Sequence, residues 1–76
     1  MLLSALKRGQ IARITRVTES DFSEKLMEMG CIPGVLVKRT VTAPLGDPVA
    51  YDLDGYCLSM RKTEASSIEV ELIPAE

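Results

Sequence analysis

Apolar and polar residues alternate with a period of two along five short stretches of this chain. Such alternation, combined with β-branched side chains, is typical of strands that bury one face of a sheet. The order is imperfect over residues 14–17, where we expect a bend or bulge. Glycine, proline, aspartate and serine, which favour turns, separate the stretches. We predict strands over residues 10–18, 35–43, 49–53, 56–60 and 68–72.

For two of the strands we predict which side chains face the core. In strand two, Val35, Val37 and Val41 share one face by the period-two rule. Arg39 falls in the same set and interrupts it, so we expect its side chain at a rim of the core. The same rule turns Leu72 inward in the last strand.

A helical period replaces the strand period between strands one and two. Residues at i, i+4 and i+7 form one apolar stripe, namely Phe22, Leu26 and Met29. Ser20 or Asp21 is placed to cap the helix, and Glu24 stands three after Asp21, as in a capping box. Gly30 suits the left-handed residue that ends a helix. We predict a helix of about two turns.

Turn signals link these elements. Pro33 and Gly34 suit the two corners of a type II turn, and Asp54 and Gly55 suit a two-residue hairpin. Further loops or short helical turns are predicted over residues 2–6, 44–48 and 61–67. Together these elements predict a mainly β fold: a small antiparallel barrel of about five strands with one short α-helix between strands one and two.

The bulk composition fits one domain over residues 1–76, since the chain has 76 residues with 46% hydrophobic and 26% charged. Its formal net charge is −2, which disfavours a nucleic acid partner. The longest uncharged apolar run is far shorter than the roughly 20 residues of a spanning helix. The first residues also lack the order of a signal peptide. We therefore expect a cytoplasmic protein without direct membrane insertion.

The sequence offers little for catalysis. It contains no histidine, no phosphate-binding GxxxxGK[ST] loop and no GxGxxG fingerprint. We therefore expect neither an enzyme nor a resident cofactor. Cys31 and Cys57 are the weak metal candidates, and buried thiols are the favoured interpretation. Other sets open to metal are the methionines Met27, Met29 and Met60 and the aspartates Asp47, Asp52 and Asp54.

An ordered set of short motifs covers nearly all of the chain. It comprises Leu6 with Gly9, Ala12 and Ile14, Leu26-Met27-Glu28-Met29-Gly30, Pro33-Gly34, Pro44, Gly46-Asp47-Pro48, Gly55, Leu58 with Arg61, and Glu64-Ala65 followed by Ile68 and Val70. This set resembles the ferrous iron transport A (FeoA) family. The resemblance implies an SH3-like barrel and a cytoplasmic accessory protein for the membrane GTPase permease FeoB.

The absence of a catalytic set favours function through a protein surface. We predict that Lys25, Met27, Glu28, Cys31 and Ile32 contact the permease. The alternative is a metal-binding sensor or carrier, related to the C-terminal module of iron-dependent repressors. A small RNA-binding barrel is a third, weaker option. Pairing of strand edges would allow a weak homodimer as well as a monomer.

Overall fold

The structure is a computed structural model that describes residues 1–74, with only the backbone of Thr42, so residues 75–76 of the predicted domain lie outside it. A short 3-10 helix, Leu3–Ala5, precedes the first strand. The strands are β1 (Ile11–Val17), β2 (Leu36–Thr42), β3 (Val49–Leu53), β4 (Tyr56–Met60) and β5 (Ile68–Ile73). The α-helices are α1 (Ser23–Glu28) and α2 (Lys62–Ala65).

The five strands form one antiparallel sheet in the order β4-β3-β2-β1-β5. The mainly β fold, the number of strands and the position of the helix confirm the prediction. Within the described chain β4 and β5 do not pair with each other, so the sheet curls without closing completely. None of the helices described is long and apolar enough to cross a bilayer.

The curled sheet surrounds a core to which every strand contributes. The core residues are Leu3, Leu6, Ala12, Ile14, Leu26, Cys31, Val37, Val49, Tyr51, Leu53, Met60, Ala65, Ile68 and Val70. Tyr51 is the largest of the fully buried side chains, and its hydroxyl donates to the carbonyl of Leu3 at 3.4 Å. The sheet interior is therefore filled by side chains, as in other small barrels.

Two irregularities interrupt the strand ladders. The pairing of β1 with β5 shifts register between Ile14 and Arg16, which confirms the predicted bulge. The pairing of β2 with β3 shifts between Arg39 and Thr42. Because a shift of one residue moves later side chains to the other face, Val41 is 55% exposed and the inward prediction for it is wrong.

Three further predictions can be compared with the structure. Leu72 is paired with the buried Ala12 and so lies on the core face, as predicted, although 41% of its surface remains exposed. Arg39 is half-buried, and its guanidinium donates to the Leu6 carbonyl, as expected for a rim position. Residues 61–67, predicted as a turn or a 3-10 helix, contain the four-residue helix α2.

The predicted cap of α1 is wrong. Phe22 occupies the N-cap position, without a side-chain hydrogen bond to the helix start. The hydroxyl of Ser23 instead donates to the Ser20 carbonyl at 3.0 Å. The N-cap is the position whose side chain can accept a hydrogen bond from the first free N–H groups of a helix, and neither Ser20 nor Asp21 occupies it.

Candidate functional site

The exposed side of α1 presents three residues that were predicted to contact a partner. Leu26 is fully buried, which fixes the side of the helix that faces the sheet. Lys25 and Glu28 are exposed, and Met27 exposes 42% of its surface. The helix therefore places one flexible apolar side chain among charges of both signs, and methionine adapts readily to a partner surface.

Main-chain hydrogen bonds fix the end of α1. The N–H of Gly30 donates to the Met27 carbonyl at 3.1 Å, and the N–H of Cys31 donates to the Leu26 carbonyl at 3.0 Å. This pair of bonds is the Schellman motif. Gly30 has a φ of +104°, which a residue with a side chain rarely adopts. The predicted glycine end of the helix is confirmed.

The turn after α1 carries Ile32 and is anchored to β1. The N–H of Val35 donates to the Ile32 carbonyl at 3.1 Å, with Gly34 at a φ of +98°, as the type II prediction requires. The N–H of Gly34 also donates to the carbonyl of Ile14 at 2.7 Å. Ile32 remains 49% exposed on this fixed backbone. Because the backbone that carries Ile32 is already fixed, a partner that binds this side chain would cost the turn little conformational entropy.

Tyr56 joins this surface through a close approach to Gly30. A Cβ atom built on Gly30 would overlap the Tyr56 hydroxyl oxygen and lie 3.4 Å from its Cζ. Tyr56 is 45% exposed at the start of β4. The sequence predictions missed Tyr56 because Gly30 and Tyr56 are far apart in the chain and no local period connects them. We call the set Lys25, Met27, Glu28, Ile32 and Tyr56 the helix patch.

Cys31 does not belong to the helix patch, although it was predicted as a contact residue. Its side chain is fully buried in the core, because the Schellman motif turns the second residue after the helix inward beside Leu26. Burial, with a smaller contribution from the negative charge of Glu64, raises the pKa of the Cys31 thiol to about 11. The thiol is therefore protonated at neutral pH.

The metal candidates are separated in the fold. The buried-thiol interpretation is confirmed for Cys31 but wrong for Cys57, which alternation along β4 places on the exposed face opposite to that of Met60. Met60 is buried whereas Met27 is exposed. Over residues 1–74 no three or more His, Cys, Asp or Glu side chains are grouped so that they could hold a metal ion. The metal-binding alternative stays a prediction.

The acidic set is spread along β3, with Asp52 within the strand and the other two aspartates beyond its ends. Asp47 precedes the strand and accepts a hydrogen bond from the main-chain N–H of Lys62 at 2.9 Å. Asp54 follows the strand, in the hairpin turn, with a φ of +42° beside Gly55 at +96°. These φ values confirm the predicted two-residue turn. The position of Asp47 is thus explained by its contact with the start of α2.

The chain is similar in sequence to a known family and to a curated protein. The model of the FeoA domain family matches residues 1–72. A curated relative from Porphyromonas gingivalis, the Fe(2+) transport protein A/Fe(2+) transporter FeoB fusion protein, is 42% identical over 74 residues. That match covers 96% of this chain, which spans only 9% of the length of the fusion protein.

Solved structures share the fold. The FeoA-like protein from Clostridium acetobutylicum superposes with a TM-score of 0.91 at 35% identity, over 100% of this chain and 90% of that one. Zinc-complexed FeoA from Stenotrophomonas maltophilia, described as a procaryotic SH3 domain protein, gives 0.84 at 24% identity, over 93% and 89% of the two chains. The latter similarity supports the SH3-like fold alone.

Proposed function

Because the chain belongs to the FeoA domain family, we propose that it is a cytoplasmic accessory protein of bacterial ferrous iron uptake that binds a FeoB-type transporter. The observation that carries this proposal is the fusion protein of Porphyromonas gingivalis, in which a similar domain and FeoB share one polypeptide. Joining two proteins in one chain raises their effective concentration, which favours a direct contact between them.

The helix patch is the surface that we propose for this contact. It combines two exposed aliphatic side chains and an aromatic ring with flanking charges, a composition typical of protein interfaces. Its backbone is held by the Schellman motif and by the bond from Gly34 to Ile14. A fixed apolar surface of this kind loses little conformational entropy on binding. The protein would act through binding rather than through catalysis.

The proposal is tested by titrating the protein with the cytoplasmic domain of a FeoB-type transporter in a calorimeter. Met27→Asp and Ile32→Asp each place a charge on the helix patch. We expect each to weaken binding by at least about tenfold, which corresponds to about 1.4 kcal/mol. The control is Leu45→Asp, because Leu45 is 97% exposed in the loop before β3, at the far end of that strand from Tyr56.

The outcomes separate the function from the surface. If the wild type and the control variant bind the transporter domain and both patch variants do not, the result supports the proposed function and the proposed surface. Unchanged binding by both patch variants would show that the helix patch is not the contact surface. A wild-type protein that does not bind the transporter domain, and whose loss leaves iron uptake unchanged, would contradict the proposed function itself.

A further inference from the structure

The two edges of the sheet differ in how they are protected. At the β5 edge, the N–H of Val70 donates to the Met1 carbonyl at 2.8 Å, and the Met1 amino group donates to the Val70 carbonyl at 3.1 Å. Leu2 also forms a bridge with Glu69. The first residues of the chain therefore cover β5 at Glu69 and Val70, and the strand in addition carries the charges of Glu69 and Glu71.

The β4 edge is uncovered. The hairpin register pairs Leu53 with Tyr56 next to the two-residue turn, so Tyr56, Leu58 and Met60 direct their main-chain groups at β3. Cys57 and Ser59 direct their N–H and C=O groups away from the sheet. Across residues 1–74, no hydrogen bond reaches these four outward groups.

The composition of β4 gives this edge no protection. Proteins guard exposed edges with charged side chains, proline or bulges, because unpaired N–H and C=O groups accept further strands. Its five residues include no charge and no proline, and its pairing with β3 runs without a register shift. Cys57 and Ser59 are also exposed, so their side chains leave the edge accessible.

Charges at the ends of β4 select the direction of a partner strand. Asp54 precedes the strand, and Arg61 and Lys62 follow it. An antiparallel copy of the same strand would bring the acidic end of each chain beside the basic end of the other. A parallel copy would instead bring like charges together at both ends. The charges at the ends of β4 therefore favour pairing with an antiparallel copy of the same strand.

We propose that β4 is a docking edge for a second copy of this chain, paired antiparallel about a twofold axis at Leu58. This register places Cys57 opposite Ser59 of the second copy, and the two such pairs join all the outward groups in four hydrogen bonds. The continuous sheet would then contain ten strands. The interface is small, so the dimer is a reversible one that forms at high protein concentration.

Sedimentation equilibrium across a concentration series, up to about 1 mM, tests the association. We expect a reversible dimer in the wild type. Ser59→Lys should weaken it about threefold or more, because lysine on an edge strand disfavours pairing and the twofold axis brings the two introduced charges onto the same face of the joined sheet. Thr18→Lys is the matched control, since Thr18 is exposed after β1 and adds the same charge elsewhere. We expect the control to dimerise like the wild type.

Cross-linking tests the register independently. In a Ser59→Cys variant, the introduced thiol would face Cys57 of the second copy at a Cα separation of about 5.5 Å, within the range of a disulfide. Mild oxidation should yield covalent dimers linked 57 to 59, identified by mass spectrometry, and Thr18→Cys should yield none of that linkage. A wild type that is monomeric at about 1 mM overturns the proposal. So does a dimer that Ser59→Lys leaves intact.

Discussion

Replacing Gly30 by alanine tests the packing that joins the end of α1 to the first residue of β4. Two costs are expected. A side chain at a φ of +104° is strained, which costs about 1–3 kcal/mol. The new Cβ would also overlap the Tyr56 hydroxyl, and tilting this 45% exposed ring off its rotamer costs about 0.5–1.5 kcal/mol more.

Gly34→Ala separates these two costs. Gly34 has a nearly identical φ of +98°, but a Cβ there would meet no heavy atom within 4 Å. It should therefore show the strain alone. In a Tyr56→Phe background the overlapping oxygen is gone and the nearest ring atom, Cζ, would lie at an ordinary 3.4 Å. There we expect the cost of Gly30→Ala to fall to that of Gly34→Ala.

Urea unfolding followed by circular dichroism measures these free energies, and the four Gly30 and Tyr56 combinations form a double-mutant cycle. We expect a coupling energy of about 0.5–1.5 kcal/mol, where about 1 kcal/mol corresponds to a Tm difference of roughly 4–8 °C in a domain of this size. Equal costs for Gly30→Ala and Gly34→Ala, with no coupling to Tyr56, would refute the close approach and remove Tyr56 from the helix patch.

Four further predictions concern the core, the thiols and the surface. Leu26→Ala should lower the free energy of unfolding by about 2–5 kcal/mol in the same urea assay, because Leu26 is fully buried; a loss below 1 kcal/mol would contradict its place in the core. Iodoacetamide at neutral pH should modify Cys57 rapidly and Cys31 only after unfolding, as mass spectrometry would show. Because folding raises the pKa of Cys31 from 9.0 to about 11, its contribution to stability is complete below pH 9 and is lost as pH rises from 9 to 11. That loss, about 1 kcal/mol at pH 10, should be absent from Cys31→Ala in urea unfolding at pH 8 and pH 10. Arg16→Gln should change the stability by less than about 0.5 kcal/mol at low salt, because the 3.8 Å pair with Glu69 is largely exposed; a larger effect would show a stronger pair than the geometry suggests.

Part of the site was predictable from the sequence for a local reason. The exposure of Lys25, Met27 and Glu28 follows from the helical period once Leu26 is assigned to the core. The end of the helix and the turn at Gly34 follow from residue types that tolerate positive φ. Cys31 was misplaced because its direction depends on how the Schellman motif meets the sheet, and Tyr56 was missed because its contact with Gly30 is long-range.

The sequence by itself determined the five strands, the helix and the turns, because alternation, helical period and turn chemistry act over a few neighbouring residues. Only the tertiary structure decided that Val41 is exposed, because a register shift in one strand is fixed by its pairing with another. It also decided which edge of the sheet remains open. The residues of β4 alone do not reveal that, among the described strands, only β3 pairs with β4, whereas the fold places Met1 and Leu2 against β5.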